Sequence, residues 1–256
     1  MRRVIPSAIM IGSVLLASAG NTNPGQMVSE EPEVTISVLD NIISIEDSYV
    51  NREWNRVADS LPMNSTRYTE LTEADFRKVA DELGVELAAI KAVVEIEAGH
   101  SMQGFWAPGI PVINFDQKMC TRMCAKTTSK AGAKGEKVPK GLSGYALREW
   151  TQLINARKKN AQGANLGTFW GMFQIGGFNY RQCGCESVDE FVKLMSYSEL
   201  EQLELFAAFI TNSGMLDDLK KKNWAAFARK YNGAGYKKRG YDTKMAAAYK
   251  KYKAAK

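Results

Sequence analysis

The stretch "TEADFRKVADELG", residues 72–84, carries its own start and stop signals. Thr72 is placed to accept a hydrogen bond from the backbone of Asp75, Asp75 can answer back to Thr72, and Gly84 supplies a left-handed stop. That spacing belongs to an α-helix and to no strand. The same grammar returns in "ESVDEFVKLM", where Ser187 stands three residues before Glu190, and apolar residues at helical spacing mark "SELEQLELFAAFI" and "NWAAFARKY". From Leu71 onward the sequence predicts a mainly helical domain. With 45% hydrophobic residues in a chain of 256, there is enough apolar material for a sizeable core.

The earlier residues read differently. "MRR" followed by "VIPSAIMIGSVLLASA" has a basic start, a short apolar run and small residues at Ala17, Ser18 and Ala19. This predicts a secretory leader over 1–19, cleaved after Ala19. The run is shorter than the roughly 20 apolar residues of a spanning helix, and Pro6 interrupts its start. A retained anchor helix is the alternative. Residues 20–68 begin with the turn-prone "GNTNPG" and stay weakly patterned, so a linker or N-terminal extension is expected, with one short helix around Val50 to Leu61. Residues 69–254 form the predicted domain. Within it, Thr121 to Leu142 is rich in lysine, glycine and threonine and reads as a long surface loop.

The formal charge is +6 and the isoelectric point near 9.0. Lysines concentrate in 118–159 and 220–256, whereas 20–60 is acidic. A basic exported protein is drawn to polyanions such as bacterial cell wall, although lysines on solvated helix faces account for the pattern equally well. No nucleic-acid motif accompanies the charge, so nucleic acid is set aside. In an oxidising compartment Cys120, Cys124, Cys183 and Cys185 can form two disulfides, and bridges linking "CTRMC" to "CGC" are expected. Zinc is the sharper alternative, but the spacing within the two pairs fits it poorly. Free thiols are the third.

"AVVEIEAGHS", residues 92–101, poses the chemical question, with two glutamates and the single histidine of the chain. Advancing about 100° per residue, Leu87, Ala89, Ile90, Val93 and Val94 fall on one apolar arc, and Glu97 falls inside it. Glu95 falls opposite, beside Lys91 one turn earlier, and reads as a solvated surface residue. A carboxyl on a buried face has its pKa raised by desolvation and can hold a proton near neutral pH, as a general acid must. Gly99 ends the helix just beyond Glu97. The plainer reading of Glu97 is a structural acid paired with an arginine or capping a nearby helix.

Three segments in order carry a resemblance. "IKAVVEIEAGHSMQGF" is similar to the stretch of bacterial and phage N-acetylmuramidases where a helix ends in a catalytic glutamate. "GTFWGMFQIGGFNY" resembles their S-W-G-x-F-Q-I-M-G-x-N-Y segment, and "WAAFARKYNGAGY" their W-x-x-F-A-x-x-Y-N-G-P-x-Y segment. Two departures are Gly176 where the family has methionine and Ala234 where it often has proline. The resemblance spans roughly Leu71 to Tyr249. It implies a mainly α (α+β) lysozyme-like fold, with a small β-hairpin region lining a glycan-binding cleft. The implied activity is cleavage of the β-1,4 bond between N-acetylmuramic acid and N-acetylglucosamine in peptidoglycan, with Glu97 as general acid.

Glycoside hydrolysis commonly uses a second carboxylate. Where the family tends to show an F-E-R-H-like segment this chain has "INFDQKM", which puts Asp116 at the acid position, one methylene shorter. Asp116 as a mere helix-start residue is the alternative. The resemblance also places Gln174, Tyr231 and Asn232 at the cleft as substrate-binding residues, with core packing the alternative. His100, three residues beyond the acid, is a further candidate for substrate contact or for a loop role. The reaction needs no metal or organic cofactor. The expectation is a periplasmic or secreted monomer, without a stable membrane span after leader cleavage. Two rivals are a lytic transglycosylase acting on the same bond and a non-catalytic peptidoglycan-binding domain.

Overall fold

A computed structural model describes residues 70–99, 102–128 and 132–255. The expected leader (1–19), the extension (20–68) with its short helix around Val50 to Leu61, and His100 lie outside the described residues. Helix α1 (Glu73–Leu83) has the predicted ends: the Thr72 side chain accepts from the Asp75 backbone, Asp75 Oδ2 accepts from the Thr72 N–H at 2.8 Å, and Gly84 adopts φ 62°. After a short turn comes α2 (Leu87–Glu97).

The chain then makes two small antiparallel sheets. Strands β1 (Phe105–Ala107) and β2 (Ile110–Pro111) form a hairpin, and β3 (Ile113–Phe115) pairs with β4 (Thr168–Trp170), which pairs with β5 (Ile175–Gly176). Between β3 and β4 lie α3 (Gln117–Lys126), α4 (Gly144–Arg157) and α5 (Ala161–Leu166). Helix α4 backs the sheet: Glu149 Oε2 accepts from the Phe115 N–H at 2.8 Å, and the Trp150 indole donates to Pro111 O at 3.3 Å. The remainder is helical: α6 (Val188–Met195), α7 (Glu199–Asn212), α8 (Leu216–Lys220), α9 (Trp224–Asn232), α10 (Tyr236–Arg239) and α11 (Tyr241–Ala254). Ser187 caps α6 on the Glu190 N–H, as its spacing predicts. One core of Phe76, Ile90, Val93, Trp170, Phe191, Leu203, Phe206 and Phe227 joins most of these elements.

Three expectations are corrected. Glu95 is not a solvated partner of Lys91; it is 6% exposed and accepts from Lys251 Nζ at 2.9 Å, while Lys91 pairs with Glu73 at 2.6 Å. The reason is α11, which lies along the face of α2 that a one-sided wheel assigns to solvent. At the other end of α2, Glu86 accepts from Lys222, from the Tyr249 hydroxyl at 2.9 Å and from Lys253, so α11 grips both ends. Second, Thr121 to Lys126 is not loop but the latter part of α3, capped by Asp116 and buried along Met119, Cys120 and Met123.

Third, the four cysteines form no disulfide. Cys120 and Cys124 sit one turn apart on α3 with their sulfurs 3.7 Å apart, against about 2.05 Å in a disulfide. They face α5 where it comes closest: a Cβ on Gly163 would stand 2.5 Å from Cys124 Sγ, and one on Gly167 would stand 2.4 Å from the Cα of Cys120. Cys183 and Cys185 are wholly enclosed in the core. Burial pushes the Cys120 thiol up to about 12 and Cys183 well above its ordinary value, so both stay protonated.

Candidate active site

Glu97 is the last residue of α2, and Gly99 turns the chain away with φ 76°. The carboxyl is half-buried, and burial raises it from the ordinary 4.5 to about 7. Its place at a helix C-terminus works in the same direction, because the last carbonyls present negative charge. One influence opposes: Asn232 Nδ2 donates to Glu97 Oε1 at 2.9 Å and favours the charged form.

Asn232 ends α9, and Gly233 follows at φ 73°. One residue earlier, the Tyr231 hydroxyl donates to Phe173 O at 3.0 Å. Its ring is set among Phe206, Phe209 and Phe227, with centroids 5.7, 5.9 and 6.1 Å away. Burial and the nearby Glu97 hold the phenol well above its usual pKa, so Tyr231 stays a neutral donor.

Phe173 belongs to the turn between β4 and β5. Gln174, in the left-handed region at φ 49°, directs both its backbone N–H and its Nε2 at Gly171 O, at 3.2 and 2.8 Å. Its amide nitrogen therefore shapes the turn, which leaves the amide oxygen as the group able to meet a ligand.

Two residues that sequence reasoning passed over hold this arrangement together. Gln202 is fully buried; its Oε1 accepts from the Met172 N–H at 2.8 Å, and its Nε2 donates to Met195 O at 2.8 Å and to Gly104 O at 3.1 Å. Glu199 accepts from the Gly104 N–H at 3.0 Å and from the Leu71 N–H at 3.2 Å, and burial raises its carboxyl. A signal existed. At about 100° per residue, Glu199 and Gln202 share the stripe of Leu203, Phe206 and Ile210, and polar groups on an apolar stripe need buried partners.

Of the residues the sequence singled out, the structure brings Glu97, Tyr231 and Asn232 together, with Gln174 one residue from the Tyr231 anchor. Asp116 is otherwise engaged: its Oδ1 accepts from the Met119 N–H at 2.8 Å and caps α3. Among the described residues no group of three or more His, Cys, Asp or Glu side chains is arranged to hold a metal.

A mainly helical domain with small antiparallel sheets, and a half-buried glutamate at the end of its second helix, is the architecture of the lysozyme-like class of glycoside hydrolases. The family model for N-acetylmuramidase matches residues 86–253, and the chain belongs to that family. It is a glycoside hydrolase, and its substrate is peptidoglycan. Among solved structures it is similar to the endolysin of the Burkholderia AP3 phage, with 35% identity, a TM-score of 0.63, and coverage of 79% of this chain and 76% of that one. Comparison with curated proteins gives no match. Among the described residues no helix is long and apolar enough to cross a membrane.

Proposed function

We propose that the protein cleaves the β-1,4 bond between N-acetylmuramic acid and N-acetylglucosamine, and that Glu97 protonates the leaving oxygen. The observation that carries this reading is the half-buried Glu97, raised to about 7 and held by Asn232 at 2.9 Å. A general acid works best when its pKa lies near the operating pH, and a glycosidic oxygen is too basic to leave as an alkoxide, so it departs as a hydroxyl once a proton reaches it. Asn232 fixes the carboxyl's orientation. Tyr231, neutral and anchored to the β4–β5 turn, holds α9 against that turn. The Gln174 amide oxygen is available to the sugar's hydroxyl or acetamide N–H groups.

A second reading draws on Asp116. With that carboxylate capping α3, the acid hydrogen-bonded to Asn232 is Glu97 alone among the described residues, as suits a lytic transglycosylase, which uses a single acid-base residue and closes the sugar on itself. Mass spectrometry of digested sacculi separates the two: reducing ends mark hydrolysis, and 1,6-anhydro ends mark transglycosylation. The test of the shared reading is Glu97→Gln, which is expected to abolish lysis of purified peptidoglycan with the helical circular-dichroism spectrum intact. Parental lysis by that variant sinks it. The sequence of residues 1–19 supports export, so we place the enzyme in the periplasm or outside the cell, acting as a monomer.

A further inference from the structure

Tyr145 and Leu147 are the large hydrophobic residues left exposed among the described ones, at 43% and 42%. Both lie in the first turn of α4. An exposed Leu needs no explanation, but Tyr145 does not stand alone. Its ring meets Trp106 of the β1–β2 hairpin edge-on, with centroids 6.2 Å apart and planes at 62°. The Arg148 guanidinium lies 4.9 Å from the centre of the same tyrosine ring, on a side chain 62% exposed. The Trp106 indole nitrogen is enclosed and has no hydrogen-bond partner among the described residues.

This surface is tied to the acid through a short chain of contacts. Asn232 holds Glu97, Tyr231 beside it holds Phe173, and Met172 next to Phe173 is held by Gln202. The same Gln202 amide holds Gly104, two residues before Trp106. The hairpin bearing Trp106 is therefore linked to Glu97 through part-buried and buried hydrogen bonds.

We propose that Trp106, Tyr145 and Arg148 form a platform, separate from the proton-transfer group, that grips the peptidoglycan glycan strand; this rests on the reading of Glu97 as the acid acting on that polymer. The chemistry matches the occupant on two counts. A pyranose ring presents a face of C–H groups that stacks on an aromatic ring as other apolar groups do. Muramic acid carries a lactyl carboxylate extended by a peptide, so the strand is anionic; Arg148 Nε is engaged with Glu149 Oε1 at 3.1 Å, and the terminal nitrogens of its 62% exposed side chain stand beside the stacking ring to meet that carboxylate.

Binding is separated from cleavage by working in the Glu97→Gln background and measuring cosedimentation with purified sacculi. Adding Tyr145→Ala or Arg148→Gln is expected to weaken binding by about tenfold, equal to about 1.4 kcal/mol, whereas Tyr145→Phe, which keeps the ring, binds as the Glu97→Gln parent does. Tyr145→Leu guards against a mere loss of packing: it keeps apolar bulk but no aromatic face, and is expected to bind as poorly as Tyr145→Ala. Parent-like binding by Tyr145→Ala and Arg148→Gln overturns the platform, as does full recovery by Tyr145→Leu. Lysis by Glu97→Gln alone is a separate readout that tests the acid assignment, so the two failures are distinguishable.

Discussion

Glu97 and Glu95 are two residues apart and chemically alike, yet their surroundings send them in opposite directions. Glu97 faces partial burial with one amide donor; Glu95 is buried more deeply but meets the Lys251 ammonium at 2.9 Å. An acid raised to about 7 is protonated below that value and loses its proton above it. Activity that depends on it is thus present on the acidic side and lost as pH rises through about 7, which a pH profile of kcat/KM on soluble glycan fragments will display as the alkaline limb. Asn232→Ala removes the one influence that favours the charged form, so the limb is expected to move to higher pH; a shift to lower pH contradicts the assignment. Glu95→Gln removes the ion pair with Lys251, which keeps its contact with the Tyr252 ring. Because that lysine is 61% exposed and can hydrate, the expected loss is modest, about 1 kcal/mol in thermal unfolding, with lysis retained below the melting range. Loss of lysis without a change in melting would show that Glu95 acts in the chemistry. The inward turn of Glu97 was legible from eleven residues of sequence. The burial of Glu95 was not, because its cover comes from residues more than 150 positions away. At Gly176 the cause is local: a Cβ there would stand 2.4 Å from the Phe178 ring, so the phenylalanine fills the space that the family's methionine side chain would need.

At the scale of elements, helix ends were the most readable parts, since caps are local chemistry: Thr72 with Asp75, Ser187 with Glu190, and the stops at Gly84 and Gly99 all stand where spacing put them. The segment from Thr121 misled because its polar residues outnumber its buried ones, and its helix depends on three apolar side chains meeting α5. Asp116 starts that helix, and here cap and catalyst make opposite demands. Asparagine caps as well as aspartate but cannot act as a base, whereas alanine does neither. If Asp116 serves the helix, Asp116→Asn keeps both lysis and stability, and Asp116→Ala costs about 1 kcal/mol of unfolding free energy. A fall in lysis of several orders of magnitude for Asp116→Asn, with unchanged melting, would restore it as the second carboxylate. The hairpin and sheets were anticipated only in outline. Strands of two or three residues carry too little pattern to read, and they are held by Glu149, Glu199 and Gln202 from other elements.

The molecule as a whole is closed by α11. It supplies Lys251 to Glu95, Tyr249 and Lys253 to Glu86, and buries Met245 and Ala248 in the structure. A chain ended after Gly240 is therefore expected to lose its cooperative thermal transition and its lytic activity together. Raising salt in the intact protein should do far less, because Met245 and Ala248 are held by packing rather than charge. A truncated chain that melts like the full one would remove α11 from this role. The same geometry has a consequence for synthesis. Helix α2, which carries the acid, emerges from the ribosome well before α11, and long-range contacts such as that of Glu95 with Lys251, 156 positions apart, form late. A nascent chain thus carries Glu97 on a helix with one side uncovered, and that face gains its cover of Tyr249 and Lys251 only when α11 has been made.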